Sequence, residues 1–220
     1  MIDDGIICID KPAGMTSFGV VARLRRVLSE HADKKVKVGH TGTLDPFATG
    51  LMILVVGKEC RNASHYTKQD KVYEATFELG KTSTTGDTEG ELTNISSRKP
   101  SRDEIDVVLT EFTGEIQQRP PIFSAIKVNG QRAYKLARDG KEVEIPLRTI
   151  TVYSLECINY EYPYLKVRTH VSSGTYIRSL GVDIGEKLGT GAYCRELRRL
   201  SIGIWNVTDA KQLRDFGIEN

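Results

Sequence analysis

The sequence lacks any apolar run near the roughly 20 residues a membrane helix needs; the longest strong one is Leu51-Met-Ile-Leu-Val-Val56. Its start, Met1-Ile-Asp-Asp4, is acidic and is not followed by the apolar core of a secretory signal. A soluble, cytosolic protein is therefore expected. Cysteine is sparse: Cys8, Cys60, Cys157 and Cys194 are far apart, with no C-x-x-C spacing, which argues against a zinc or dithiol centre. The expected state is four reduced thiols. Only four histidines are present, and none is spaced as a metal-ligand pair, so no metal is expected. A dominant charge is also lacking, with 31 Lys+Arg against 29 Asp+Glu. Disorder is excluded too, because 39% hydrophobic residues and 20 glycines make an ordinary globular composition.

Hydrophobic periodicity supplies the elements. Gly5–Ile9 and Leu51–Val56 read as buried strands. Between them Val20, Val21, Leu24, Val27 and Leu28 recur on one helical face, and residues 39–50 read as a loop. In Val72–Leu79, Tyr73, Ala75, Phe77 and Leu79 alternate with Glu74, Thr76 and Glu78, which predicts a strand. The polar stretch 80–90 reads as a loop. Ser101 and Glu104 have capping-box spacing ahead of a helix carrying Ile105, Val108, Leu109 and Phe112. Thr149–Tyr160 and Tyr164–Val171 read as a strand pair. Ser172–Thr175 reads as a turn able to cap a helix bearing Ile177, Leu180, Ile184 and Leu188. A short helical piece is expected through Leu197, then a last strand near Leu200–Trp205. Interspersed helices and hairpins without a linker or repeat predict an α+β fold, one domain with a mixed, mostly antiparallel sheet.

Charge is uneven even though it balances. Arg119, Lys127, Arg132, Lys135, Arg138, Lys141 and Arg148 face only Asp139, Glu142 and Glu144, so this stretch carries +4. With Phe123 and Tyr134 nearby, it suits a phosphate backbone with aromatics for stacking. Arg195, Arg198 and Arg199 form a second cluster of the same kind. An ordinary solvated loop is the bland alternative for both.

The informative segment is Gly39-His-Thr-Gly-Thr-Leu-Asp-Pro-Phe-Ala-Thr-Gly50. Asp before Pro in a glycine-rich loop is by itself a turn former. The phosphate-cradling patterns G-x-x-x-x-G-K-[ST] and G-x-G-x-x-G are absent, as is the G-x-S-x-G elbow. Three further pieces accompany it: Asp10-Lys-Pro-Ala-Gly-Met-Thr-Ser17, Lys71-Val-Tyr-Glu74 and Gly174-Thr-Tyr-Ile-Arg-Ser179.

Together, from about Gly5 to Trp205, these pieces resemble the bacterial TruB family, whose members isomerise uridine 55 in the T-loop of tRNA. The resemblance implies roles. Asp45 matches the catalytic aspartate, Tyr73 the tyrosine that stacks on the target base, and Arg178 the arginine that pairs with the aspartate. His40 matches a histidine that contacts the T-loop, and Tyr176 and Leu197 match residues lining the uracil pocket. Lys11 and Pro12 match a motif supporting the aspartate loop. The excursion at about 121–149 matches an RNA-gripping thumb, with Lys127, Arg132 and Lys135 as backbone contacts. Thr84 stands where the family leads one to expect Asp, whereas Asp87, used near the active site, is present. The family's small C-terminal RNA-binding (PUA) domain is not expected within these 220 residues. The partner that the resemblance implies is the tRNA T-arm, and a monomer is expected.

The reaction exchanges an N–C glycosidic bond for a C–C bond without net oxidation, so no cofactor is expected, and one carboxylate suffices as participant. Read alone, Tyr73, Tyr176 and Leu197 would be packing residues, His40 an exposed loop residue and Arg178 a surface cation. An RNA-folding binder without catalysis, or a guide-RNA-dependent relative, would share many of these features. A base-excising enzyme would call for a second carboxylate, which the sequence does not present.

Overall fold

The structure, a computed structural model, describes residues 4–124, 126–128, 131–132 and 145–219. The chain divides into two compact units, Met1–Tyr73 with Leu197–Asn220, and Glu74–Glu196.

The first unit begins with β1 (Gly5–Lys11) and α1 (Ser17–Ala32), followed by β2 (Val38–His40) and β3 (Thr49–Val56). A 3-10 turn and the short α2 (Ala63–Thr67) lead to the start of β4 (Lys71–Leu79). Thr16 caps α1 through its side chain, which accepts from the Gly19 amide, and Asp33 ends it in a left-handed conformation. β1 runs antiparallel along the whole of β3, from Gly5 opposite Val56 to Lys11 opposite Gly50. β2 takes the upper part of the other edge. Its lower part, Thr49 and Gly50, pairs in parallel with Arg198 and Arg199. The apolar run of β3 is buried on both faces, which is why it shows no alternation in sequence. Leu51 and Ile53 join Ile202 in a small core, closed by Ile6, Cys8, Tyr66 and Trp205.

The second unit carries the rest of β4, then the hairpin of β5 (Lys81–Ser83) and β6 (Leu92–Asn94), α3 (Arg102–Glu111) and β7 (Gly114–Gln118). β8 (Lys127–Val128) and β9 (Gln131–Arg132) follow. Next come β10 (Arg148–Glu161), β11 (Tyr164–Val171), α4 (Ile177–Lys187) and the start of β12 (Ala192–Ile202), which ends in the first unit against β13 (Trp205–Asn206). The strand order here is β12-β4-β11-β10-β7. Ser101 and Glu104 form the expected reciprocal cap of α3. On α4, a Cβ added at Gly181 would lie 2.5 Å from the Phe77 ring, and one at Gly185 2.3 Å from the Ala192 amide. The two glycines, one helical turn apart, let α4 sit directly on its neighbours.

The α+β class and the mixed, mostly antiparallel sheet are as the sequence predicts. Four local expectations change. Leu197 lies in the long strand β12, not in a helix. Glu196-Leu-Arg-Arg199 contains good helix formers, but Arg199 is buried and bonded to β3, and tertiary contacts override the propensity. Residues 39–40 are strand, so the aspartate loop spans 41–48. The polar stretch after Gly80 begins with β5, whose side chains carry no apolar pattern because it pairs only with the exposed β6. Ser172 does not cap α4; its carbonyl accepts from the Thr175 hydroxyl, and Tyr176 stands at the cap position without a side-chain bond.

Candidate active site

In the first unit, Asp45 is half-buried in a loop held from several sides. Ser17, at the start of α1, donates its hydroxyl to the Leu44 carbonyl (2.9 Å) and accepts from the Leu44 amide (2.8 Å). Lys11, fully buried at the end of β1, donates to the carbonyls of Pro12 (2.8 Å), Met15 (2.7 Å) and Pro46 (3.2 Å). The Gly14 amide donates to the same Pro46 carbonyl. Arg199, 1% exposed, donates to the carbonyls of Leu51 (2.7 Å) and Gly42 (3.2 Å). The Thr41 amide and hydroxyl both reach the Ile53 carbonyl.

The Leu44 carbonyl before Asp45 and the Pro46 carbonyl after it are therefore fixed by side chains from elsewhere in the unit, and the Asp45 carbonyl accepts from the Ala48 amide. The two buried cations are compensated by carbonyl dipoles, the condition for burying charge at all. The close approach is specific. Gly50 has φ of +106°, and a Cβ there would lie 2.3 Å from the Arg199 carbonyl oxygen.

The same unit holds three other candidates. His40, half-buried at the end of β2, pairs with Leu54 across β3. Tyr73 is buried on β4 and Leu197 is buried on β12. Beside Tyr73 in sequence, Lys71 donates to the carbonyls of Thr67 and Gln69. Burial, then the nearby Arg199, pull Lys71 down to about 8, against Asp70.

In the second unit, Arg178 and Tyr176 share the beginning of α4. Arg178 is not a surface cation: it is 4% exposed and donates to Asp87 Oδ2 (3.0 Å) and to the carbonyls of Thr85 and Phe123 (2.9 Å each). The other Asp87 oxygen accepts from the Thr85 hydroxyl (2.6 Å) and the Glu89 amide (2.9 Å). The pair is thus buried and fully supplied with partners. Thr84, at the position expected to hold Asp, accepts from the Glu91 amide and closes the β5–β6 loop.

The second cation cluster is engaged within the protein. Arg199 is buried, Arg198 forks onto Asp10 (3.0 and 2.8 Å), and Arg195 reaches Glu78 (2.7 Å). Burial pushes the Glu78 carboxyl up, but Lys81, Tyr193 and Arg195 outweigh it and hold it below its ordinary range. Of the excursion at 121–149, Lys135 lies outside the described residues. For Lys127 and Arg132 the backbone alone is described, as register partners in the β8–β9 pair.

Asp183, on α4, adds a pH signature. Burial and then Glu186 push it up to about 6. A raised acid binds its proton more tightly in the folded chain, so its contribution is complete below about 4 and is lost as pH rises through about 6. Asp183→Asn is expected to raise the thermal midpoint at pH 7.5 and to leave it unchanged near pH 4. Equal shifts at both pH values would refute the burial argument.

Sequence reasoning missed Ser17, Arg199 and Gln118 as organisers of these sites. Arg199 reads as one more cation in a basic run, and nothing in sequence marks Ser17 or Gln118 as bonded across the fold.

A family model described as TruB family pseudouridylate synthase (N terminal domain) matches residues 25–177. The tRNA pseudouridine synthase B of Clostridium kluyveri is 44% identical over 217 residues, covering 99% of this chain and 73% of that protein. The protein of the same name from Aquifex aeolicus is 45% identical over 215 residues, covering 97% and 73%. Among solved structures, a Cbf5–Nop10–Gar1 complex matches with a TM-score of 0.75 at 34% identity, covering 97% of this chain and 53% of the other. An H/ACA RNP bound to a substrate RNA containing 2′-deoxyuridine matches with a TM-score of 0.71 at 30% identity, covering 100% and 57%. The chain spans just over half the length of the chains in these two structures.

Proposed function

We propose that this chain, which belongs to the TruB family of pseudouridylate synthases, isomerises uridine 55 in the T-loop of tRNA to pseudouridine. The observation that carries the reading is the aspartate loop. Leu44 and Pro46, on either side of Asp45, are bonded by Ser17, Lys11 and Gly14, so the carboxylate is presented on a backbone held from elsewhere in the unit.

In this reading Asp45 is the group that reacts at the nucleoside. Arg178 keeps it ionised, since an opposite charge favours the charged form of a carboxyl group. The target uridine must leave a folded RNA elbow, at a cost of a few kcal/mol. Stacking on Tyr73, at roughly 1–3 kcal/mol per base, offsets part of that, with His40 contacting the T-loop left behind. Tyr176 and Leu197 line the uracil pocket. Bond exchange without net oxidation needs no redox cofactor. Residues 1–220 act as one catalytic domain, in a cytoplasmic monomer.

The direct test is incubation with unmodified tRNA and no added nucleotide or metal, followed by mapping of pseudouridine in the T-loop. Product at that position supports the reading. Product only after adding guide RNA and partner proteins would move the chain to the ribonucleoprotein class of its solved neighbours.

The excursion at 121–149, with Lys127, Arg132 and Lys135, is the proposed grip on the RNA backbone. Neutralising any one of these three should reduce the log–log salt slope of tRNA binding by roughly 1, with turnover of bound tRNA little changed. Three unchanged slopes would remove the excursion from the binding surface.

A further inference from the structure

Tyr176 starts α4 with extended backbone angles and no side-chain cap of its own. Its backbone is held instead by Gln118, the last residue of β7 and 1% exposed. The Tyr176 amide donates to Gln118 Oε1 (2.8 Å), and Gln118 Nε2 donates to the Tyr176 carbonyl (3.0 Å). A side-chain amide that makes both bonds to one residue imitates a strand partner, fixing that residue in distance and in rotation. Among the described residues, Tyr176 itself belongs to no strand. β7 stops at Gln118, opposite Arg148, and Arg119-Pro120-Pro121 cannot continue a ladder.

The clamp is local. Arg178, two residues on, has its own bonds to Asp87, Thr85 and Phe123. Ser179 bonds separately to the Arg119 carbonyl (2.9 Å). Gly181 seats the helix on Phe77. Losing the Gln118 amide would therefore leave α4 and the guanidinium in place and loosen one residue, Tyr176, whose carbonyl keeps its bond from the Leu180 amide and whose amide loses the Gln118 acceptor.

From this geometry we infer that Gln118 is a positioning residue for Tyr176 in the isomerisation. The inference rests on the functional reading above, in which the Tyr176 ring lines the uracil pocket. Because tRNA affinity comes mainly from backbone contacts, a displaced pocket wall lowers turnover and spares binding. A misplacement of about 1 Å can cost on the order of 100-fold in rate.

The test uses the full chain and unmodified tRNA. Gln118→Met keeps the length of the side chain and removes both bonds. It should lower kcat by about 10-fold or more with KM within about 2-fold, and unfolding should stay cooperative. In a Tyr176→Ala background the same change should add little, because its effect passes through that ring. Gln118→Glu keeps the acceptor and sets an oxygen against the Tyr176 carbonyl. Protonation restores a donor, so its activity relative to wild type should rise as pH falls from 8 to 5.5. This arm decides the matter if Gln118→Met does not fold. An unchanged kcat for Gln118→Met, full additivity with Tyr176→Ala, or a flat pH ratio for Gln118→Glu overturns the inference while wild type still forms pseudouridine. An inactive wild type overturns the functional reading, and this inference falls with it.

Discussion

Asp45→Asn is expected to form no detectable pseudouridine, a loss of at least about a thousandfold, as is typical when a group that enters the chemistry is removed. Its fold and its affinity for tRNA should survive, for reasons that can be read from the loop. The side chain is half-buried and Asn is nearly the same size. The bonds that shape the loop run from Ser17, Lys11, Gly14, Thr41 and Arg199 to backbone groups of the neighbours of Asp45 and of β3. The thermal midpoint should therefore move by no more than about 3 °C. Lys11→Met makes the contrast. It strips three carbonyls of a buried ammonium, so it should cost stability and turnover together. Quantifying pseudouridine by mass spectrometry beside a thermal melt and a tRNA-binding isotherm separates the two patterns. An active Asp45→Asn chain would end the assignment of Asp45.

What the sequence made legible was whatever has a local physical cause. The capping box at Ser101, the one-sided helix after Thr16 and the uninterrupted apolar run of β3 each carry their signal within a few residues, and each element is present. The candidate site was legible through its motifs for the same reason: the residues flanking Asp45, Tyr73 and Arg178 are contiguous segments. The supports were not. Arg199 looks like its neighbours Arg195 and Arg198, yet it is buried against β3 while they pair with acids; the difference lies in Gly42 and Leu51, some 150 residues earlier. Leu197 carries helix-forming neighbours, and only β3 and β4 beside it make the segment a strand. Arg178 reads as a surface cation because its partner, Asp87, sits 91 residues away in a polar loop.

That partner gives the second large effect. Asp87→Ala takes the Asp87 carboxylate from the buried Arg178 guanidinium and leaves its bonds to the Thr85 and Phe123 carbonyls. Removing one member of a buried ion pair costs on the order of 3–5 kcal/mol, which for a chain of this size is a fall of roughly 10 °C in the thermal midpoint. Arg178→Met should be milder, because Asp87 keeps the Thr85 hydroxyl and the Glu89 amide. The double variant Asp87→Leu with Arg178→Met removes both charges, and apolar replacements of buried pairs are often neutral or stabilising, so much of the lost stability should return. Activity should not return with it. If Arg178 served only to hold the β5–β6 loop on α4, restoring stability would restore turnover as well. If it tunes the carboxylate chemistry, the repaired fold stays inactive. Urea unfolding and single-turnover pseudouridine formation on the same four proteins decide between these roles. A double variant that regains both stability and turnover would demote Arg178 to a structural cation.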